Sequence, residues 1–168
     1  MQNLPNILTF ARIAMIPLVV LAMLAGFNIL ALIIFIIASA TDFLDGYLAR
    51  KYKVESKLGT MLDPIADKLL VAAVLVLLAR NLGEFDTLAV IIILLREVFV
   101  SGLREFLGQQ NIAMPVTKLA KWKTATQLIA IATLLLQINI FSQILLWLAA
   151  SITLVTGWQY AKHAFKNI

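Results

Sequence analysis

The sequence predicts an all-α membrane protein: one domain over residues 1–168, built as a bundle of six transmembrane helices. Of the 168 residues, 62% are hydrophobic and only 14% are charged, which lies outside the range of ordinary soluble domains. Apolar stretches of roughly 20 residues recur, the length a helix needs to cross a hydrocarbon core of about 30 Å. These stretches lack the alternation of a transmembrane β-barrel. Cysteine is absent, so the chemistry must use oxygen and nitrogen groups.

Apolar runs and the breakers between them delimit the six helices. We expect these helices near residues 5–26, 28–49, 58–80, 84–107, 117–138 and 140–162. The first helix is expected to be retained, because no secretory-signal order is visible and Arg12 lies inside the apolar run. The segment "GFN" separates helices one and two, Pro64 falls in the first turns of helix three, and Pro115 belongs to the loop before helix five. The segment "QINI" separates helices five and six.

Basic residues cluster at one end of the predicted bundle. They lie between helices two and three, at the start of helix five and at the end of the chain: Arg50, Lys51, Lys53, Lys57, Lys118, Lys121, Lys123, Lys162 and Lys166. The positive-inside rule puts both termini and these loops in the cytoplasm. The net charge of +5 comes without basic stretches interleaved with aromatics, so we expect membrane lipids and no nucleic acid as partners.

Two pairs of aspartates interrupt the apolar runs near that end. Asp42 and Asp45 are three residues apart in the second helix, and Asp63 and Asp67 are four apart in the third. Each spacing puts both carboxylates on one helix face, and the short loop between the helices lets the pairs meet. An aspartate at the bilayer centre costs about 2.5 to 3.5 kcal/mol on insertion scales, less near an interface, so four of them indicate a function.

Divalent cations are the expected partners of these carboxylates. An ion-paired network with Arg50 and Lys68 is the alternative, but two basic groups cannot neutralise four carboxylates. Mg²⁺ is commonly held by carboxylate oxygens together with substrate phosphates, so we expect two ions, Mg²⁺ or Mn²⁺. Gly46 and Gly59 leave room for a ligand to approach the backbone, unless each is only a packing contact. Arg50 suits a phosphate oxygen.

The aspartates belong to a longer pattern, which reads Asp42-x2-Asp45-Gly46-x2-Ala49-Arg50-x8-Gly59-x3-Asp63-x3-Asp67. This pattern resembles the signature of the CDP-alcohol phosphotransferase family at all eight fixed positions. The resemblance implies a six-helix membrane enzyme of the CDP-alcohol phosphotransferase fold, usually a homodimer. Such an enzyme transfers a phosphatidyl group from CDP-diacylglycerol to an alcohol and releases CMP.

The resemblance also implies roles for individual residues. The metal ligands are expected to be Asp42, Asp45, Asp63 and Asp67, and Asp67 also matches the catalytic general base. Gly46, Arg50 and Gly59 match positions that line the pocket for the CDP-linked lipid. Asn6 shares a helical face with Thr9 and Arg12. That face either reaches the nucleotide or lies in the membrane interface as an amphipathic start to the first helix.

The second half of the chain is expected to bind the acceptor alcohol. The segments "REVFVSGLRE", residues 96–105, and "KLAKWKTATQ", residues 118–127, resemble those of bacterial family members that use glycerol 3-phosphate. Arg104 and Lys123 would hold the acceptor phosphate beside the metal site. Arg96 either joins them or pairs with Glu97 or an aspartate, and Lys121 either joins them or snorkels. Such members act at the bacterial cytoplasmic (inner) membrane.

Other functions remain open from the sequence. Serine would not need two phosphate-binding cations, but serine and inositol phosphate are both alternative acceptors. An ion or metal transporter is the alternative from another class, because intramembrane carboxylates often mark ion pathways. However, the four aspartates lie in one half of the chain with no second copy, unlike the duplicated halves of many transporters. A catalytically silent assembly protein is the third alternative.

Overall fold

The computed structural model of the chain is all-helical over the residues it describes. It describes the backbone at residues 4–52, 57–110, 112–115 and 117–167, and side chains at residues 9–41, 62–110, 112–115 and 117–166. These ranges contain six helices and no strand. The helices are α1 (Leu4–Leu24), α2 (Asn28–Tyr52), α3 (Lys57–Ala79), α4 (Glu84–Gln109), α5 (Lys118–Leu135) and α6 (Asn139–Asn167).

The six predicted helices are confirmed, and most of their predicted ends lie within two or three residues of the observed ones. The largest difference is at the end of the chain. There α6 continues to Asn167, whereas the sequence predicted an end at residue 162. No glycine or proline follows Gly157, so nothing in the local sequence breaks the helix before the chain ends.

The chain divides into two compact units. The N-terminal unit is Met1–Leu77 and the C-terminal unit is Leu78–Ile168. In the N-terminal unit α1 packs against α2, and its core includes Val19, Phe35 and Leu75. In the C-terminal unit α4 and α5 both pack against α6, and its core includes Ile93 and Leu146. The expectation of a single catalytic domain stays a prediction.

Two helix pairs are joined by the same kind of turn. After α1, the Phe27 N–H donates to the Ala22 carbonyl at 2.9 Å and the Gly26 N–H to Met23 at 3.1 Å. After α5, the N–H groups of Ile138 and Gln137 make the equivalent pair of bonds. This pattern is the Schellman cap, which places one residue in the left-handed region. Gly26 takes that position at φ +81° and Gln137 at φ +56°, where a residue with a Cβ is strained.

Side-chain contacts with α6 hold the first turn of α4 in place. The Trp147 indole Nε1 donates a hydrogen bond to Asp86 Oδ1 at 3.0 Å. The Phe85 ring packs against the Trp147 ring with centroids 4.5 Å apart. Trp147 therefore packs α6 against the start of α4.

Apolar side chains cover much of the outer surface of the described helices. Leu21 is 60% exposed, Leu95 66%, Val98 73% and Ile140 74%. By length and composition, one helix among the described residues is suited to crossing a membrane, over Asn139–Lys166. Thr9–Leu24 and Asn28–Thr41 are shorter apolar stretches. The prediction of six membrane spans therefore stays a prediction.

Candidate active site

The aspartate motif lies on α2 and α3 of the N-terminal unit. The backbone at Asp42, Asp45, Gly46 and Arg50 is helical within α2, and Gly59 is helical within α3. Their side-chain positions lie outside the described residues, as does the side chain of Asn6 in α1. The two motif residues whose side chains are described are Asp63 and Asp67.

Asp63 and Asp67 are half-buried on consecutive turns of α3. The hydroxyl of Thr9 on α1 donates a hydrogen bond to Asp63 Oδ1. Thr9 is only 1% exposed and Arg12, one turn further along α1, is fully buried. Thr9 and Arg12 therefore point into the N-terminal unit. Their burial favours a role in the binding site over a position in the membrane interface.

The donor chemistry of this pair fits a hard divalent cation. Both groups are carboxylates four residues apart on one helix, and such oxygens are the ligands that Mg²⁺ prefers. Ligating carboxylates are commonly fixed by hydrogen bonds from a neighbouring residue, as Thr9 does for Asp63. Among the side chains that the structure describes, no three acidic, histidine or cysteine residues converge; Asp42 and Asp45 lie outside that set.

A second polar cluster lies inside the C-terminal unit and is centred on Glu97 of α4. Its Oε1 atom is 3.2 Å from Arg96 Nη1 and 2.5 Å from Lys123 Nζ of α5. The exposed fractions of the three side chains are only 14% for Glu97, 8% for Arg96 and 9% for Lys123. Two cations thus share one carboxylate oxygen out of bulk water, and the three groups carry a net positive charge.

Arg96 is held on its other side by α6. Its Nη2 atom donates to the hydroxyl of Thr156 at 2.8 Å, and its guanidinium carbon lies 5.7 Å from the centroid of the Tyr160 ring. Gly157 makes room for the side chain, because a Cβ there would be only 3.0 Å from Arg96 Cγ. The sequence left open whether Arg96 pairs with Glu97, and the structure shows that ion pair.

The other predicted acceptor-site cations lie nearer the surface. Arg104 is exposed, yet its guanidinium carbon lies 6.0 Å from the centroid of the Tyr160 ring. The Tyr160 ring thus has two guanidinium groups within cation–π distance. Lys121 is exposed on α5, whereas Lys123 is buried. The structure brings together Arg96, Lys123 and Arg104 around Glu97 and Tyr160, and it leaves Lys121 outside this cluster.

Sequence reasoning missed several residues of these two clusters. It placed Thr9 on a polar face without identifying Asp63 as its partner, and it treated Glu97 only as a partner for Arg96. It gave no role to Tyr160 or Thr156. A usable signal for α6 was present, because Thr153, Thr156 and Tyr160 recur at helical spacing within a strongly apolar segment.

Comparison with known proteins places these observations in a family. The family model of the CDP-alcohol phosphatidyltransferases matches residues 2–155. The chain is 44% identical to a protein of Rickettsia bellii over 96% of this chain and 94% of the relative. A Bacillus subtilis protein is 40% identical over 95% of this chain and 94% of the relative. For a Cereibacter sphaeroides protein the identity is 39%, over 96% of this chain and 95% of the relative.

All three relatives are named CDP-diacylglycerol–glycerol-3-phosphate 3-phosphatidyltransferase. The resemblance read from the eight-position aspartate motif is therefore confirmed by a match that extends far beyond the motif. The chain belongs to the CDP-alcohol phosphatidyltransferase family.

Proposed function

We propose that this chain transfers the phosphatidyl group of CDP-diacylglycerol to glycerol 3-phosphate, producing phosphatidylglycerophosphate and CMP. The observation that carries the proposal is the 44% identity, over 96% of the chain, to an enzyme named for that reaction. The product is the precursor of anionic phospholipids. The transporter alternative is not retained, because the relatives are transferases by name.

The transfer is a single displacement at phosphorus. The acceptor hydroxyl oxygen forms a bond to the phosphatidyl phosphorus, the bond from that phosphorus to the bridging oxygen of the diphosphate breaks, and the electron pair leaves with CMP. Asp67 accepts the hydroxyl proton as general base. Because such transfers depend on positioning and charge stabilisation, no protein nucleophile is required.

The aspartates supply the electrostatic part of this mechanism. Asp42, Asp45, Asp63 and Asp67 would hold two divalent ions, Mg²⁺ or Mn²⁺, which when bound neutralise the diphosphate and stabilise the departing CMP. The hydrogen bond from Thr9 to Asp63 fixes the orientation of one of these carboxylates before substrate arrives. Preorganised groups of this kind stabilise the transition state without reorganising during the reaction.

The CDP-linked lipid is bound by the remaining motif residues. Arg50 contacts the diphosphate, and Gly46 and Gly59 allow the nucleotide to approach the helix backbone. Asn6 contributes from the start of α1. The burial of Thr9 and Arg12, which share a helical face with Asn6 in the sequence, supports this assignment.

The acceptor phosphate is bound by the cations of the C-terminal unit. Arg96 and Lys123 share a single carboxylate, Glu97, and Arg104 lies against the Tyr160 ring that Arg96 also faces. The positive charge of these cations therefore exceeds the negative charge of Glu97. A phosphate with two negative charges offsets that excess. Lys121, which is exposed two residues before Lys123, attracts the anion from the cytoplasm. Serine lacks a phosphate for these groups, and inositol phosphate is the closest competing acceptor.

The enzyme is proposed to cross the bacterial inner membrane six times, with both termini and the active site on the cytoplasmic side. The exposed aliphatic side chains of the helices support this, because soluble proteins rarely expose apolar patches of more than a few hundred Å². The basic residues at the predicted cytoplasmic end support the orientation. The family resemblance supports a homodimer.

Acceptor competition tests the proposal. The purified protein would be supplied with CDP-diacylglycerol, Mg²⁺ and either glycerol 3-phosphate, serine or inositol phosphate, and CMP release would be measured. The proposal requires glycerol 3-phosphate to give the highest kcat/KM. A higher kcat/KM for another acceptor would refute the assigned acceptor, and no CMP release from any acceptor by folded, Mg²⁺-saturated protein would refute the proposed activity.

A further inference from the structure

Tyr160 of α6 is a buried polar residue of the C-terminal unit, and the proposed function gives its hydroxyl no role. Its side chain is only 3% exposed, and its hydroxyl has no hydrogen-bond partner within the described part of the chain. A buried hydroxyl without a partner is destabilising, because the hydrogen bonds that it makes to water in the unfolded chain are not replaced. Phenylalanine would fill the same space without that cost, so the hydroxyl itself needs an explanation.

The surroundings of Tyr160 are strongly cationic. Arg96 and Arg104 have their guanidinium carbons 5.7 Å and 6.0 Å from its ring centroid. Lys123 is connected to Arg96 through their shared partner Glu97. Two guanidinium groups beside one ring repel each other, and Glu97 is the only carboxylate that the described residues place on Arg96 and Lys123. The cluster therefore favours an added anion.

The chemistry of the cluster specifies the kind of anion. Guanidinium and ammonium groups donate hydrogen bonds and accept none, and a phenol donates one more. A phosphate monoester offers three acceptor oxygens and up to two negative charges, which matches several donors converging from three helices. An uncharged alcohol would match neither the charge nor the donor count.

We propose that the Tyr160 hydroxyl donates a hydrogen bond to the phosphate of the acceptor, while its ring positions Arg96 and Arg104 around the same group. This inference deepens the proposed function, on which it rests. It makes Tyr160 a residue that selects phosphorylated acceptors over their unphosphorylated counterparts.

Tyr160→Phe is the direct test, because it removes the hydroxyl and keeps the ring. The KM for glycerol 3-phosphate should rise about tenfold, equivalent to about 1.4 kcal/mol. The kcat and the KM for CDP-diacylglycerol should change less than twofold. The melting temperature without substrate should not fall, since an unsatisfied buried hydroxyl is lost.

Trp147→Phe provides a matched control on the same helix. It also removes one polar group from an aromatic ring of α6, the half-buried ring of Trp147, but there the lost hydrogen bond is to Asp86. This variant should lower the melting temperature and leave the KM for glycerol 3-phosphate unchanged. The two substitutions should therefore separate substrate binding from stability.

A binding measurement keeps the test independent of turnover. Glycerol 3-phosphate should raise the melting temperature of the wild type, and Tyr160→Phe should reduce that rise. A Tyr160→Phe KM within twofold of wild type, with an unreduced glycerol 3-phosphate shift, would overturn the inference and leave the proposed function standing. A wild type that releases no CMP with glycerol 3-phosphate, under conditions where it is folded and Mg²⁺-saturated, would overturn both.

Discussion

Thr9→Val tests whether the bond between Thr9 and Asp63 prepares the metal site. Valine has nearly the shape of threonine but cannot donate to Asp63 Oδ1. Hydrogen bonds to charged groups contribute about 1.5 to 3 kcal/mol, and Thr9 is 1% exposed, so water has little access to replace its hydroxyl. Loss of such a partner of a metal ligand typically lowers metal affinity 10- to 100-fold, which agrees with that energy range.

Two measurements are needed for this prediction. Mn²⁺ binding by electron paramagnetic resonance reports metal affinity without turnover, and the Mg²⁺ concentration for half-maximal CMP release reports it during catalysis. Both should shift about 10- to 100-fold in Thr9→Val, while saturating Mg²⁺ restores most of kcat. Thr9→Ser keeps the hydroxyl and should resemble wild type. A Thr9→Val protein with both values within twofold of wild type would refute the reasoning.

Three further predictions follow from other parts of the structure. Asp67→Asn should lower CMP release about 10²- to 10⁴-fold, the usual contribution of a general base, while CMP binding measured by calorimetry persists. Glu97→Gln leaves Arg96 and Lys123 without their carboxylate and should lower the melting temperature, since breaking a buried pair costs about 3 to 5 kcal/mol. Inorganic phosphate should then stabilise Glu97→Gln more than wild type, because no carboxylate competes for the cations. Gln137→Gly should raise the unfolding free energy by about 1 kcal/mol, because Gln137 has φ +56° and glycine adopts that conformation without strain.

Each of these has a clear contrary result. Near wild-type turnover in Asp67→Asn would remove Asp67 from the role of base. A smaller phosphate-induced stabilisation in Glu97→Gln than in wild type would mean that Glu97 completes the anion site instead of competing for it. A lower unfolding free energy in Gln137→Gly would mean that the glutamine side chain stabilises the turn.

The helices could be predicted because their signal is local. Each apolar run ends at a short polar or glycine-containing segment, and the chain between such segments has no competing periodicity. The end of α6 was misplaced because the segment after Gly157 mixes polar and apolar residues without a breaker. The aspartate motif was equally accessible, since its spacing is contained in two neighbouring helices and one short loop.

The partners of the buried polar groups could not be predicted in the same way. Glu97 binds Lys123 as well as Arg96 because α4 and α5 both pack against α6, and that packing fixes their rotations. Tyr160 lies beside Arg96 and Arg104 through the contact of α6 with α4. Such pairings connect residues 26 to 64 positions apart and leave no periodic trace in the sequence.

Product analysis tests the central claim most directly. The purified protein would be incubated with CDP-diacylglycerol, glycerol 3-phosphate and Mg²⁺, and both CMP and the lipid product would be quantified by mass spectrometry beside the Asp67→Asn variant. The account predicts equal amounts of CMP and phosphatidylglycerophosphate from wild type, and a 10²- to 10⁴-fold lower yield of both from the variant. Release of CMP without phosphatidylglycerophosphate, or equal yields from the two proteins, would contradict it.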